Sequence, residues 1–440
     1  MSTSRLVVVG AGLAGCEAAW QAARLGLEVS LYEMRPVRGS PAHTGDGFAE
    51  LVCSNSLRSA QLGHAVGLLK EEMRRLGSLV MAAADATAVP AGRAHAVDRI
   101  AFSKWITAAV EAHPAIEVRR ELVERIPEDP LVVLATGPLT APELARDLQR
   151  LLGDEYLYFY DAISPIVHAD SIDPQVAFRA SRYEEGEGDY LNLPLDRPGY
   201  EAFVEDLLAA ETVPLHAFEA SLYFEGCLPI EETARRGRDT LAFGPMRPVG
   251  LVDPRNGLRP HAVVQLRQED PEALLYNLVG FQTKMRLREQ QRIFRSLPGL
   301  SKAVFARYGS VHRNTYVNAP RRLQHLEVRA RPGLFVTGQL AGVEGYVESA
   351  ALGGLVGIRA AFGARGEAPP LPPPTTAHGA LLHHLESADA KHFQPMNASF
   401  GLFPPLRDRP RRLPRRERHL LLSERALADL APFAHRVSDS

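Results

Sequence analysis

A glycine turn near the N-terminus constrains the fold of this chain more than any other feature. Residues 10–15 read Gly-Ala-Gly-Leu-Ala-Gly and match the pattern G-x-G-x-x-G. An apolar stretch typical of a buried strand, residues 6–9, precedes the turn, and an alanine-rich stretch after it predicts a helix from about residue 13 to residue 25. A second strand is expected at 27–33. This strand–helix–strand pattern predicts an α/β fold that opens with a doubly wound, Rossmann-like domain.

The turn has the chemistry of a dinucleotide site. Gly10 allows the tight turn, Gly12 lets the backbone approach a pyrophosphate, and Gly15 lets helix and strand pack closely. The helix N-terminus then faces the phosphates. Glu33 lies 18 residues beyond Gly15, at the end of the second strand, where its carboxylate can bind ribose hydroxyls. The remaining cofactor-binding residues predicted in the turn are Ala11, Leu13 and Ala14.

Two later strand ends favour FAD as the dinucleotide. FAD extends farther across the sheet than an adenosine cofactor, so its flavin half needs further backbone approaches. A buried strand ends at Thr136 and Gly137, and the segment "LFVTGQLAGVEGYVESAALGG" repeats that form. A tightly packed structural helix is the alternative for this segment, and an S-adenosylmethionine site would not need it. The predicted cofactor residues here are Gly338, Gln339, Gly342 and Gly345.

The length of 440 residues predicts two or three domains. We expect a glutathione-reductase-like FAD-binding domain in two parts, with a mixed α/β domain inserted between them. The proline-rich stretch at residues 369–374, Pro-Pro-Leu-Pro-Pro-Pro, predicts an extended tether. The predicted boundaries are 1–154 for the first FAD-binding part, 155–309 for the inserted substrate domain, 310–366 for the last FAD-binding part, and 367–440 for the tether and an Arg-rich segment.

Composition limits the cellular setting. No apolar run reaches the roughly 18 residues of a membrane span, and the first residues lack the features of a leader. Three cysteines give neither a disulfide framework nor the paired spacing of a zinc site, so we expect no metal. The sequence therefore predicts a cytoplasmic protein without a membrane partner, and no obligatory protein partner is evident.

Cys53 stands in "ELVCSNSLR", beside Ser54, Asn55 and Ser56, which are typical helix-capping residues. A helix N-terminus and the nearby Arg58 would both favour a reactive thiolate. A buried small hydrophobe is the alternative. Cys16, inside the first helix, is predicted to pack in the core.

A run of arginines near the C-terminus is the candidate nucleic-acid contact. The net charge of −2 argues against a uniformly basic surface, but it allows a local patch. Seven arginines lie between residues 407 and 418. A solvated charge run is the alternative.

Long motifs are spread over nearly the whole chain: residues 10–15, "ELVCSNSLR", "VPAGRAHAVDRIAFS", "GCLPIEETARRGRDTLAFGPMRPVGLVDPRNG", "AVVQLRQED", "YNLVGFQTKM", "RYGSVHRNTYVNAP", "GQLAGVEGYVESAA" and "FQPMNASFGLFPPL". In these motifs the chain resembles one family, the folate- and FAD-dependent tRNA (uracil-5-)-methyltransferases (TrmFO), which are related to the larger GidA (MnmG) flavoproteins. Small departures from the family pattern are Leu228, where methionine is expected, and His95, where leucine is expected.

The resemblance implies C5 methylation of uridine 54 in the T loop of tRNA. It implies FAD as cofactor, 5,10-methylenetetrahydrofolate as carbon donor, NADH or NADPH as reductant, and tetrahydrofolate as product. Uracil C5 is a weak nucleophile until a thiolate adds to C6, so the chemistry requires a cysteine.

We assign Cys227 as this nucleophile and Cys53 as a second catalytic thiol near the flavin, and the reverse assignment stays open. The neighbouring Glu225, Glu231 and Glu232 would, if close, raise the pKa of the Cys227 thiol. An offsetting cation such as Arg235 or Arg236, or a proton relay on the substrate, is therefore implied. Further residues are assigned to the other ligands: His312 to the pterin, Arg286 and Lys284 to the folate glutamate, and Arg411, Arg412, Arg415 and Arg416 to tRNA phosphates.

Three other functions stay open. A GidA-like enzyme would modify the wobble uridine of the anticodon, and should carry a much longer C-terminal region. A plain FAD oxidoreductase would not need RNA. A non-catalytic RNA-binding flavoprotein would bind tRNA even without Cys53 and Cys227.

Overall fold

The computed structural model describes residues 5–40, 42–153, 157–182, 188–213, 228–406 and 413–439, with the backbone alone at 157–163 and 311–314. The strands are β1 (Arg5–Val9), β2 (Glu28–Tyr32), β3 (Ser56–Ser59), β4 (Ala88–Val89), β5 (Ala94–Val97), β6 (Ile116–Arg119), β7 (Val132–Leu134), β8 (Leu157–Ile163), β9 (Ile166–His168), β10 (Phe178–Arg179), β11 (Tyr190–Leu195), β12 (Ala262–Gln268), β13 (Leu275–Leu278), β14 (Phe305–Arg307), β15 (Ser310–Tyr316), β16 (Leu323–Gln324), β17 (Glu327–Val328) and β18 (Leu334–Val336).

Helices alternate with these strands in the first part of the chain and gather towards its end. They are α1 (Leu13–Arg24), α2 (Ala65–Arg75), α3 (Leu79–Ala86), α4 (Arg99–Ala112), α5 (Pro142–Leu152), α6 (Arg197–Ala209), α7 (Ile230–Arg235), α8 (Thr240–Phe243), α9 (Leu287–Arg295), α10 (Ala319–Arg322), α11 (Tyr346–Ala364), α12 (Ala377–Ser387) and α13 (Arg415–Ser438).

The larger sheet has the order β16-β17-β18-β7-β1-β2-β6, and its five strands from β18 to β6 are parallel. Strands β1, β7 and β18 are almost entirely apolar, as expected for a parallel sheet covered on both faces. The predicted doubly wound α/β fold is therefore confirmed, including the early strand–helix–strand unit and both late strands that end in glycine.

Helix α1 packs closely against α11 because small residues face each other. A Cβ added at Gly353 would lie 2.1 Å from the Ala14 carbonyl oxygen, and one at Gly357 would lie 2.3 Å from that of Ala18. The two backbones therefore approach more closely than larger side chains would allow. This close packing accounts for the small residues in the middle of α11.

A second, six-stranded sheet has the order β10-β11-β12-β13-β9-β14 and is antiparallel. Strands β8 and β15, which lie on either side of it in sequence, pair with each other in antiparallel register. The apolar faces of α6, α7 and α9 cover the sheet and form a second core around Phe203, Phe281 and Phe294. The molecule thus has two principal cores, one for each large sheet.

The segment after the proline-rich residues 369–374 packs into the first core. Helix α12 buries Leu381 and Leu385 there, and α13 buries Leu422 and Leu430. Both helices contact α2. The C-terminal helices are therefore part of the first core.

Helix α11 alone, among the helices of the described residues, is long and apolar enough to cross a membrane. However, 89% of its most apolar 18-residue stretch is buried inside the protein. Its composition matches that of a central core helix.

Candidate dinucleotide and thiol site

A cleft opens at the carboxyl ends of β1, β2, β7 and β18. This is where open α/β sheets bind their ligands, because the loops leave the strands there and helix N-termini point inward. The cleft brings together the glycine turn, Glu33 and the two late strand ends. Of the predicted cofactor residues, those that line it are Gly10, Gly12, Leu13, Ala14, Glu33, Thr136, Gly137, Gly338 and Gln339.

The three glycines of the turn have different surroundings. Gly10 has φ +101°, and a Cβ there would lie 2.6 Å from the Ala135 carbonyl oxygen. A Cβ at Gly15 would lie 1.7 Å from the Gly10 carbonyl oxygen, so helix and turn could not pack as they do. A Cβ at Gly12 would meet no protein atom within 4 Å. Space is left free at Gly12, where a pyrophosphate would approach.

Glu33 is fixed at the end of β2 by several donors. Its carboxylate accepts the Ala11 N–H at 3.0 Å, and it accepts the Arg35 side chain and backbone N–H at 2.9 and 3.0 Å. Although burial raises the pKa of Glu33, these hydrogen bonds from Arg35 and Ala11 outweigh burial and hold it below its ordinary value. The group is thus an oriented carboxylate in the wall of the cleft.

Only part of the segment from Gly338 to Gly345, all four of whose named residues were predicted to bind the cofactor, lines the cleft. Gly338, Gln339, Tyr346 and Ser349 line the cleft. Gly342 and Gly345 are not among its lining residues: a Cβ at Gly342 would meet the Phe393 ring at 2.5 Å, and Gly345 stands against Glu348, Arg58 and Asn397. These two glycines make room for packing.

Cys53 lies against Tyr346, the first residue of α11. The Tyr346 hydroxyl is 2.8 Å from the Cys53 Sγ, and it accepts the Cys53 backbone N–H at 2.8 Å. Burial raises the pKa of Tyr346 well above its ordinary value, and the nearby Cys53 adds to the shift. The hydroxyl therefore stays protonated at neutral pH and can donate to a thiolate. Both Tyr346 and Val52, which precedes the thiol, line the cleft.

The predicted helix cap at Cys53 is wrong. Residues 56–59 form strand β3, and the next helix, α2, begins only at Ala65. The guanidinium of Arg58, which was expected to act on the thiol, is ion-paired with the fully buried carboxylate of Glu348. Strand pairing between β3 and β5 overrides the local capping preference of Ser54, Asn55 and Ser56.

Arginines from the second sheet supply the positive charge near Cys53. The Arg267 guanidinium donates to Ser54 Oγ at 2.7 Å and to Asn55 Oδ1 at 2.9 Å. Burial lowers the pKa of both Arg267 and Arg307, and the neighbouring Cys53 opposes that shift in each. An electropositive, partly buried environment of this kind is typical of reactive thiols. Cys16, by contrast, is fully buried and burial raises its pKa, so it packs as predicted.

Cys227 lies outside the described residues, but the structure shows where its loop returns. The Ile230 N–H donates to the Gln282 carbonyl at 2.7 Å, which holds the start of α7 against residues 282–284. Glu231 is buried and accepts from Thr283 Oγ1 and from the Lys284 N–H, while Glu232 pairs with Lys284 at 2.6 Å. Two of the three carboxylates expected to oppose a thiolate are thus hydrogen-bonded or ion-paired, and the third, Glu225, lies outside the described residues.

The remaining predicted residues are dispersed. Lys284 is mostly buried in its pair with Glu232, and Arg286 is exposed at the start of α9, 3.8 Å from Glu211. Residue 312 lies in β15, but the His312 side chain is outside the described part, as are Arg411 and Arg412. Arg415 and Arg416 are exposed in the first turn of α13.

Two partners of the Cys53 loop were missed from sequence. Tyr346 follows directly on a glycine turn and opens a helix of small residues, so a large polar side chain there was a usable signal. Arg267 is a buried arginine within a strand that is buried along its whole length. Its partners lie more than 200 residues away, so nothing local to Arg267 indicates them.

The fold and cleft define a dinucleotide-binding protein of the GidA type. A family model described as "Glucose inhibited division protein A" matches residues 5–368. The structure is similar to that of Aquifex aeolicus GidA, with a TM-score of 0.72 at 18% identity, covering 98% of this chain and 73% of that one. The chain belongs to the GidA family.

Within that family the sequence is far more similar to one group. It is 59% identical to a protein of Geotalea uraniireducens, over 98% of each chain, and 57% identical to one of Geobacter sulfurreducens, over 97% of this chain and 98% of that one. A protein of Moorella thermoacetica is 55% identical over 97% of each. All three are named methylenetetrahydrofolate--tRNA-(uracil-5-)-methyltransferase TrmFO, and this chain belongs to the TrmFO family.

Proposed function

We propose that this protein methylates C5 of uridine 54 in the T loop of tRNA. The carbon comes from 5,10-methylenetetrahydrofolate, which is released as tetrahydrofolate, and the reducing equivalents come from NADH or NADPH through FAD. The observation that carries this proposal is the 55–59% identity, over nearly the whole chain, to proteins named for folate-dependent methylation of tRNA uracil. We place the protein in the cytoplasm, where tRNA is modified.

The cleft suits FAD. Leu13 and Ala14, at the start of α1, line it beside Gly12, and the helix has no side-chain cap. Their backbone N–H groups are thus available to a pyrophosphate, to which the helix dipole is also favourable. Glu33 retains lone pairs for ribose hydroxyls, and the ends of β7 and β18 line the rest of the cleft. FAD, when bound, supplies the hydride chemistry that methyl formation requires.

In this proposal the two thiols, Cys227 and Cys53, have separate roles. The Cys227 thiolate adds to C6 of uracil and makes C5 nucleophilic. Cys53 acts beside the cofactor cleft, where Tyr346 orients its sulfur and Arg267 holds the loop through Ser54 and Asn55. The ion pairs of Glu232 with Lys284 and Arg235 support Cys227, since they neutralise one of its acidic neighbours.

Other assignments rest on the resemblance. We retain His312 for the pterin, Lys284 and Arg286 for the folate glutamate, and the arginines at 411, 412, 415 and 416 for tRNA phosphates. A GidA-like modification of the wobble uridine is the weaker candidate, because identity to the solved GidA chain is only 18%. Identity at that level supports the fold alone.

The activity is tested by nucleoside mass spectrometry. Purified protein, undermodified tRNA, NADH and methylenetetrahydrofolate should yield 5-methyluridine at position 54, and omission of folate should abolish it. A tRNA with adenosine at position 54 is the matched control. NADH oxidation without 5-methyluridine would favour a plain oxidoreductase.

The division between the thiols is tested by trapping. With 5-fluorouridine at position 54, fluorine cannot leave C5 as a proton does, so the thiol adduct persists. We expect peptide mapping to find the adduct on Cys227. Cys227→Ala should lose both trapping and methylation and keep FAD, whereas Cys53→Ala should still form the adduct. An adduct on Cys53 would reverse the assignment.

A further inference from the structure

Two concavities on the surface join around Arg93, in the turn between β4 and β5. They share Gln61, His64 and Arg93, and we refer to the joined depression as the Arg93 cleft. One half also contains Ser59, Arg182, Arg247 and Gln265, and the other contains Arg415, Arg416 and His419.

The Arg93 cleft is strongly basic. Five arginines and two histidines line it, and no Asp or Glu belongs to the lining formed by the described residues. Arg93, Arg247, Arg415 and Arg416 are exposed. The Asp189 carboxylate accepts the Gly92 N–H at the margin of the cleft. In a chain of net charge −2, this concentration of positive charge on one surface is a local feature and does not follow from composition.

Hydrogen bonds hold the walls of the cleft together. The Ser423 hydroxyl of α13 donates to the Leu62 carbonyl at 2.7 Å, and His419 Nδ1 lies 3.0 Å from the Gly63 carbonyl. On the opposite wall, the Tyr190 hydroxyl donates to the Ala91 carbonyl at 3.0 Å. Three separate parts of the chain are thereby joined, so the surface is formed before any ligand binds.

The cleft also lies close to the thiol site. Ser59 is six residues beyond Cys53, so the two are at most about 20 Å apart along an extended chain. Gln265, in the cleft, and Arg267, which binds the Cys53 loop, are two residues apart on β12 and thus point to the same face of the sheet. A nucleotide reacting near Cys53 would have its neighbouring backbone within reach of the cleft.

We propose that the Arg93 cleft binds the sugar-phosphate backbone of the tRNA substrate beside the reacting loop. This inference rests on the proposed function and adds Arg93, Arg182 and Arg247 to the RNA contacts. Arginine pairs with phosphate through a planar set of donors, and a row of them neutralises successive phosphates. Charge spread over two adjoining concavities suits a polyanionic strand better than the short anionic tail of a folate.

The experiment measures tRNA affinity as a function of salt for Arg93→Gln, Arg247→Gln and the double variant. Each lost phosphate contact should lower the slope of log K against log salt by about 0.7 to 0.9, which corresponds to about five- to eightfold weaker binding at 0.1 M salt. Arg93→Lys keeps the charge and should restore most of the slope. The loss should be equal for tRNA with uridine or adenosine at position 54, because phosphate contacts carry no sequence information.

Arg150→Gln is the matched control, since Arg150 is exposed on α5 and lines neither concavity. FAD content and RNA-independent NADH oxidation should be unchanged in every variant. An unchanged salt slope in the double variant would overturn the inference. So would a raised KM for methylenetetrahydrofolate with normal tRNA binding, which would assign the cleft to folate.

Failure of the proposed function is distinguishable from failure of the cleft. Wild-type protein that binds tRNA through Arg93 and Arg247 but makes no 5-methyluridine would support the cleft and refute the methyltransferase. Normal methylation with an unchanged salt slope in the double variant would support the methyltransferase and refute the role of the Arg93 cleft. Wild-type protein without tRNA affinity would overturn the cleft as well.

Discussion

At the scale of single residues, substitutions at Gly12 and Gly15 should affect different properties, cofactor binding at Gly12 and folding stability at Gly15. A Cβ at Gly12 would meet no protein atom within 4 Å, whereas one at Gly15 would collide with the Gly10 carbonyl oxygen. We expect Gly12→Val to lose FAD because its methyl groups occupy the space of the pyrophosphate. Its unfolding free energy, compared with that of deflavinated wild type, should fall by only about 1 kcal/mol, the cost of a poorer helix cap.

Gly15→Ala is the contrasting variant and should lose about 3 kcal/mol or more of stability, because backbone must move to relieve the collision. Flavin absorbance per protein and denaturant unfolding measure the two effects. Full flavin absorbance in Gly12→Val would show that the cofactor does not pass over this turn.

A buried lysine, Lys70, binds the backbone of the strand that follows Cys53. Its ammonium group is fully buried and donates to the carbonyls of Leu57 and Arg58 at 3.1 and 3.3 Å, in the strand that follows Cys53. Burial lowers the pKa of Lys70 from 10.5 to about 7, and the positive charges of Arg74 and Arg58 act in the same direction. Between these two values the unfolded chain holds a proton that the folded chain has released.

Stability therefore rises with pH over this window, by up to about 1.4 kcal/mol per pH unit. We expect the difference in unfolding free energy between wild type and Lys70→Met to grow in favour of wild type from pH 7 to pH 9. Denaturant unfolding at both pH values measures it, and other titrating groups cancel in the difference. Parallel pH profiles would contradict this account of Lys70.

At the scale of elements, a buried carboxylate ties α2 to the start of α12. Glu72 accepts the backbone N–H groups of Ala377 and His378 at 2.7 and 3.0 Å, and it lies 2.7 Å from the His378 ring Nδ1. These are the unsatisfied donors of a helix N-terminus, which also favours a negative charge. Glu72 thus satisfies two donors of the first turn of a helix that begins 305 residues later, and Thr376 Oγ1 accepts the Gly379 N–H there.

Glu72→Gln should cost about 2 kcal/mol, because an amide nitrogen cannot accept and the charge is lost. If α12 opens locally, hydrogen exchange in α12 should be about 30-fold faster. Glu71→Gln is the control: Glu71 is half-exposed, it pairs with Arg75 on the surface, and its loss should cost less than about 1 kcal/mol. Equal effects of the two substitutions would argue against a specific role for Glu72.

At the scale of the whole molecule, the thiol site depends on contacts between the two large sheets. Cys53 belongs to the loop before β3, its hydroxyl partner Tyr346 begins α11, and Arg267 comes from β12 of the second sheet. The Arg99–Glu269 ion pair, at 2.8 Å, adds a further link between α4 and the second sheet. The arrangement of two separate cores therefore fixes the surroundings of a single sulfur atom.

Some features of this protein were determined by the sequence alone. The glycine turn, the acidic strand end and the late strands that end in glycine predicted the parallel sheet and its cleft, because these features follow from backbone sterics and hydrophobic period within a few residues. Helix α1, predicted from about residue 13 to residue 25, is found at Leu13–Arg24. The resemblance named the family, which the 55–59% identities confirm.

Tertiary structure alone decided the rest. Residues 56–59 form a strand because β5 supplies hydrogen-bond partners, and this outweighs the capping preference of their side chains. Gly342 and Gly345 serve packing because the Phe393 ring and the Arg58 and Asn397 side chains lie against them. The Arg93 cleft joins residues from 59 to 420. Contacts of such sequence separation depend on how whole sheets and helices pack, and no local pattern contains that information.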